Sequence, residues 1–156
     1  MNTVITCDAN LCIQDINPCL PESCHDSWVW RRNPLRVYLE AELRPGECLL
    51  GHYGYPLEPW LLTPVPGHTA GSTPEDLYYK EHTAMRNAVE RCIAILKSRL
   101  RCLQRYRTLL YNPDRAATII AACAALHNIA LAARIYPPPP PVRVPPPRDL
   151  YLRDQQ

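Results

Sequence analysis

The chain has 156 residues, a formal net charge of +2 and 47% apolar residues, enough for one domain with a core and too apolar for a disordered chain. No signal peptide is legible and no apolar run reads as a membrane span, so no membrane partner is expected. Its 8 cysteines form no Cys-x-x-Cys pair, which argues against a zinc site and for a reduced, intracellular setting.

The elements follow in chain order. Residues 2–7 (NTVITC) are short and β-branched, Asp8, Ala9 and Asn10 supply a turn, and residues 11–16 alternate again, so a β-hairpin is predicted. Residues 17–27 read as a loop broken by Pro18 and Pro21. Asp26 or Ser27 suits the cap of a helical turn containing Trp28, Val29 and Trp30, and Pro34 opens a short helix reaching Leu43. Pro45 and Gly46 make a turn. Residues 47–50 form a brief strand that meets Gly51-His52-Tyr53-Gly54-Tyr55-Pro56, where the glycines let the backbone turn sharply. Residues 59–71 read as a loop broken by Pro and Gly, and Pro74 or Glu75 starts a helical turn.

Residues 80–107 read as one long amphipathic helix. Met85, Val89, Cys92, Leu96, Leu100 and Leu103 recur every three or four residues on one face. The opposite face carries Arg86, Arg91, Lys97, Arg99, Arg101, Arg105 and Arg107, and Glu90 is the one acid between Arg86 and Arg107. Two readings of Glu90 stay open on spacing alone: a surface partner of Arg86 or Lys97, or a metal-binding carboxylate flanked by cations that hold phosphates. Localised basic charge of this kind points to nucleic acid rather than a membrane surface.

A second helix follows, with Asn112 as N-cap and Pro113 in the first position. Residues 116–133 are apolar almost all round, which predicts a buried helix. From Pro137 the composition changes to proline runs with Arg143 and Arg148 nearby, an extended tail of the sort that SH3 or WW grooves accept. A boundary near Tyr136 therefore separates a folded domain (1–136) from a proline-rich tail (137–156). The layout is α/β or α+β: a hairpin, short helices, one further strand and two long closing helices, which fits part of a ribonuclease-H-like fold.

Several stretches in the same order resemble a known family. They are CHDSWVW (24–30), LLGHYGYPLEPWLLTP (49–64), YYKEHTAMRNAVERCIAILKSRLRCL (78–103) and ALHNIA (125–130). They are similar to motifs of the Harbinger transposase-derived nucleases, of the DDE superfamily endonuclease type, from about residue 2 to residue 134. The resemblance implies metal-dependent phosphodiester hydrolysis of DNA, with three acids holding two divalent cations, Mg²⁺ or Mn²⁺. It also implies a nuclear location. It places the family's last acid on Glu90, and Arg86, Arg91, Lys97, Arg101 and Arg105 become the expected nucleic-acid contacts.

The departures from the family pattern shape the expectation. The second acid of the family should follow Gly51, where this chain has His52, and imidazole does not bridge two hard cations as a carboxylate does. His52 therefore stands as a weak metal ligand at best. The family's first acid lies on a strand upstream of the hairpin, while Met1 opens at the hairpin. The expectation is a domain that has lost cleavage, with no cation bound, or a binding module with a basic helix and a polyproline tail. Asp8 reads as a turn residue, Asp15 as a solvent-facing strand residue, Asp26 as a helix cap and His127 as a core histidine. No partner is legible for His25 or His82.

Overall fold

A computed structural model describes residues 2–20, 25–67, 72–104 and 112–135. Arg105, Arg107 and the proline-rich tail lie outside the described residues. The elements are β1 (Asn2–Cys7), β2 (Ile13–Leu20), α1 (Asp26–Arg31), α2 (Pro34–Glu42), β3 (Leu49–Leu50), β4 (Leu61–Leu62), α3 (Pro74–Arg99), a 3₁₀ turn (Arg101–Leu103) and α4 (Pro113–Ala132). The architecture is mixed α/β, with two small sheets and four helices among the described residues.

β1 and β2 form the expected antiparallel hairpin, with Val4 opposite Asn17 and Thr6 opposite Asp15. Its turn is closed by Asp8, whose Oδ1 accepts from the backbone N–H groups of Asn10 and Cys12 at 2.9 Å each. Leu11 takes a left-handed φ of 67° there. β2 runs on through Leu20, so the first four residues of the predicted 17–27 loop are strand; the ladder continues past Pro18 after a register shift. β3 pairs in parallel with β4, a strand hidden in the stretch read as a broken loop. The pair is only two residues long, below what alternation can reveal.

The long helix begins earlier than its periodicity suggested and ends earlier too. Thr73 and Asp76 form a reciprocal capping box on either side of Pro74, and the chain leaves the helix at Leu100 for the 3₁₀ turn. The α3 face that packs inward is His82, Cys92 and Leu96, whereas Met85 is exposed. Asn112 caps α4 by accepting from Arg115 N–H, as expected.

Two cores result. One places Ile13 of the hairpin against Cys92 and Leu96 of α3 and Cys123 and Ala124 of α4. The other gathers Trp30, Leu39 and Leu61 under α1 and α2. There Glu58 accepts from Trp30 Nε1–H at 2.9 Å and Arg36 Nε–H at 3.0 Å, while Trp60 Nε1 and Asn33 Nδ2 are enclosed without a hydrogen-bond partner among the described residues. α4 corrects the reading of a helix buried all round. Long and apolar enough to cross a membrane, it is 33% buried in that stretch, with Leu126 and Ile129 exposed.

α4 is clamped to the hairpin by two adjacent polar residues. Asn128 Oδ1 accepts from Ile13 N–H at 2.9 Å while its Nδ2–H donates to Ile13 O at 2.8 Å. His127, wholly buried, donates from Nε2 to Leu11 O at 3.0 Å and accepts from Arg99 Nη1 at its Nδ1 at 3.1 Å. The core-histidine expectation holds for His127. His82 is likewise buried, with Nε2 3.1 Å from Leu62 O.

Candidate functional site

β3 delivers the backbone to the site. Gly51 N–H donates to Leu62 O at 2.8 Å, and the next residues turn back so that Tyr55 N–H reaches His52 O at 3.1 Å. Inside this turn Gly54 N–H donates to His52 Nδ1 at 2.9 Å, which leaves the ring proton on Nε2. That nitrogen faces Asp26 Oδ2 at 3.1 Å. Gly54 has to be glycine for this to occur, since a Cβ there would lie 2.6 Å from His52 Cε1 and 2.8 Å from Asp26 Oδ2. The Tyr55 ring packs against the imidazole, with centroids 4.7 Å apart.

Desolvation holds the His52 pKa below its ordinary value; Asp26 opposes the shift, and the charges of Arg86 and His25 add to it. The imidazole is therefore neutral at neutral pH, with both nitrogens engaged. Asp26 is not the helix cap: it is the first residue of α1, and His25 caps the helix by accepting from Ser27 N–H. The Asp26–His52 pair was invisible in the sequence because the two residues belong to separate motifs, joined only when α1 packs beside the end of β3.

Glu90 makes the pair with Arg86 that one of its two readings expects. Its carboxylate is 57% exposed and ion-paired with Arg86, one helical turn earlier. Arg86 also lines a cavity of about 610 Å³ that His52 and Asp26 share, while Glu90 does not. The structure thus gathers Arg86, His52 and Asp26 at one cavity and leaves the carboxylate of Glu90 on the outer surface. Among the described residues no three His, Cys, Asp or Glu side chains converge on a point that could hold a metal ion. Hard divalent cations take several oxygen ligands at once. Glu90 held by a guanidinium, an imidazole with no free lone pair and an Asp committed to that imidazole do not fit two such cations.

Of the expected nucleic-acid contacts, Arg91, Lys97 and Arg101 are exposed, and Arg86 is half-buried in its pair with Glu90. Arg99 leaves the basic face altogether: it turns inward to His127 and donates to Ile135 O at 2.7 Å. Arg105 lies outside the described residues. Asp8 is the turn residue it was read to be. Asp15 is not solvent-facing: its Oδ2 is enclosed without a hydrogen-bond partner among the described residues, and burial pushes its pKa up.

Comparison with known proteins identifies the family. The model of the DDE superfamily endonucleases matches residues 1–128. The chain is 33% identical over 132 residues to the protein named "Putative nuclease HARBI1" of Mus musculus, covering 84% of this chain and 37% of that protein. It is 35% identical over 133 residues to the Xenopus laevis protein of the same name, with 84% and 38% covered. Against "Protein ALP1-like" of Arabidopsis thaliana it is 37% identical over 103 residues, with 65% and 24% covered. The chain therefore spans less than two fifths of the length of these relatives. No solved structure matches it. With the Gly-His-Tyr-Gly-Tyr-Pro turn, the long basic helix and the His127–Asn128 clamp in family order, the chain belongs to the DDE superfamily endonucleases, of the Harbinger transposase-derived kind.

Proposed function

We propose that this chain is a nuclease-derived domain that binds nucleic acid through α3 and no longer hydrolyses it. The observation that carries the reading is His52. At the position of the family's second carboxylate stands an imidazole whose two nitrogens are taken by Gly54 N–H and Asp26. A metal ion there would have to break one of those contacts and would still find Glu90 neutralised by Arg86. The hairpin, β3 and the two long helices are read here as part of a ribonuclease-H-like fold, on the strength of the family match. DNA is the proposed partner, by kinship with proteins named as nucleases, and a nuclear location goes with it.

The binding face is Arg91, Lys97 and Arg101, exposed along and just beyond α3. Contacts of this type go to phosphates, carry no sequence information and weaken with salt. Three such contacts give a slope of log affinity against log salt of roughly −3 on duplex DNA.

Two measurements test the proposal. Plasmid DNA incubated with the chain and Mg²⁺ or Mn²⁺ should stay supercoiled, and metal-dependent nicking above the Glu90→Ala level would overturn the loss of cleavage. Anisotropy titration of a labelled duplex should show salt-sensitive binding that disappears in the triple variant Arg91→Glu, Lys97→Glu, Arg101→Glu. Binding that ignores either salt or these charges would remove α3 as the interface.

A further inference from the structure

Away from the candidate site, two thiols face each other where the end of α3 meets α4. Cys102 sits in the 3₁₀ turn (Arg101–Leu103) and Cys123 in α4, and their sulfurs lie 3.6 Å apart. A disulfide bond is about 2 Å long, so closure needs an approach of roughly 1.5 Å. The turn can supply it. It has no side-chain cap and is held by Leu103 N–H to Leu100 O at 3.0 Å and Gln104 N–H to Arg101 O at 3.2 Å. Cys123, by contrast, is fixed in the middle of a 20-residue helix. The two thiols also differ in access. Cys123 is 5% exposed, and burial together with the Cys102 thiol beside it pushes its pKa up to about 11. Cys102 is half-buried, packed against the outside of the same core.

We infer that Cys102 and Cys123 form a redox-operated staple, a disulfide that glutathione disulfide closes and that ties the turn after α3 to α4. The thiolate is the attacking species, so the reachable thiol goes first. Cys102 Sγ gives up its proton and attacks one sulfur of glutathione disulfide; that S–S bond breaks and one glutathione thiolate leaves. Cys123 Sγ then gives up its proton and attacks the Cys102 sulfur of the mixed disulfide, which forms the Sγ–Sγ bond and releases the second glutathione. Two protein thiols are oxidised by two electrons in all, one glutathione disulfide is reduced to two thiols, and the two protons lost by the protein end on them. Glutathione is anionic, and the exposed cations Lys97 and Arg101 favour its approach to this turn. In a reducing compartment, bonds of this kind are transient and serve redox sensing. Cys7 and Cys92 also stand together. Cys92, however, is wholly buried, donates to Leu11 O at 3.4 Å, and is pushed up to about 12 by burial, so it is poorly placed to resolve a mixed disulfide.

The test uses the full chain, first reduced and then set at stepped ratios of glutathione disulfide to glutathione. Peptide mapping without reductant should show Cys102 joined to Cys123, with two hydrogen atoms lost and no glutathione retained on either. The two cysteines are 21 positions apart. Cross-linking the unfolded chain over that span should raise Tm by roughly 5–10 °C. Dithiothreitol should return Tm to the reduced value. Cys123→Ala should stop the exchange halfway, with glutathione retained on Cys102, and Cys102→Ala should leave Cys123 unmodified; neither variant should gain stability on oxidation. The wild-type map decides the outcome even if Cys123→Ala, a core substitution, fails to fold. The inference is overturned if Cys102 and Cys123 stay open to alkylation while the exposed Cys48 takes up glutathione. It is equally overturned if the map joins Cys7 to Cys92 or one chain to another instead, or if the closed form melts no higher than the reduced one.

Discussion

Asn128 offers the sharpest test of how this fold is held. Its side-chain amide pairs with both backbone groups of Ile13, at 2.9 and 2.8 Å, and so acts as a short substitute strand on the edge of β2 away from β1. Asn128→Ala removes both bonds and leaves an N–H and a C=O facing α4. Each part-buried group left unpaired costs about 1–3 kcal/mol, and partial access to water favours the lower half, so the variant should lose about 2–4 kcal/mol. For a chain of this length that is a fall of roughly 6–15 °C in Tm. Asn128→Asp discriminates the mechanism. It keeps an acceptor for Ile13 N–H but sets a carboxylate oxygen against Ile13 O, so it should cost at least as much as Ala despite being closer in shape. Urea unfolding at constant pH measures both. A loss below about 0.5 kcal/mol for Ala, or an Asp variant clearly milder than Ala, would show that the paired amide does not hold the hairpin.

Two further outcomes follow from buried charge. Asp15→Val should raise stability at pH 7 by about 1 kcal/mol, because an enclosed carboxylate oxygen without a partner is replaced by a residue suited to a strand. Since the Asp15 pKa is raised in the folded state, the folded wild type binds its proton more tightly and closes the gap as pH falls toward the ordinary carboxylate value; a gap constant with pH refutes this. For His52 the shift is downward, so the stability tied to the neutral ring is complete above about pH 6.5 and is lost as pH falls through the lower folded value. Unfolding midpoints across that window should slope less in His52→Gln than in the wild type, and equal slopes would refute the assignment.

How much of this was legible depended on the range over which each signal acts. Local chemistry read well: the Asp8 turn, the Pro34 helix and the Asn112 cap are decided within a few residues, and all appear in the structure. Length defeated the reading of β4, since two residues carry no alternation. Pro18 suggested a loop, yet the ladder resumes after a register shift. On α3 the periodicity of Met85, Val89 and Cys92 was real, but a helix face is buried only where another element covers it, and none covers Met85. The same holds for Leu126 and Ile129 on α4. Arg99 was grouped with the basic face by spacing, while a buried acceptor on His127 drew it inward. At the candidate site, the family motif located His52 and Glu90, but what each side chain touches arises from tertiary packing.

That packing decides what a single reversion can do. His52→Asp returns the family's carboxylate to its position, next to Asp26, which now lies 3.1 Å from the imidazole it holds. The shorter side chain lengthens the separation to about 5 Å, and two carboxylates there repel by about 1–2 kcal/mol in a partly solvated setting. The hydrogen bond between the ring and Asp26 is lost as well, so the variant should be less stable at pH 7 and recover as pH falls and one carboxyl takes a proton. Added Mg²⁺ should raise its Tm and leave the wild type unchanged, because only the variant sets two carboxylates side by side. DNA should remain uncut even so: Glu90 stays on the outer surface in its pair with Arg86, and two oxygen donors do not assemble two cations. A Tm indifferent to Mg²⁺ would mean that residues 26 and 52 do not share a site, and nicking by the variant would mean that Glu90 swings inward when a carboxylate replaces the imidazole.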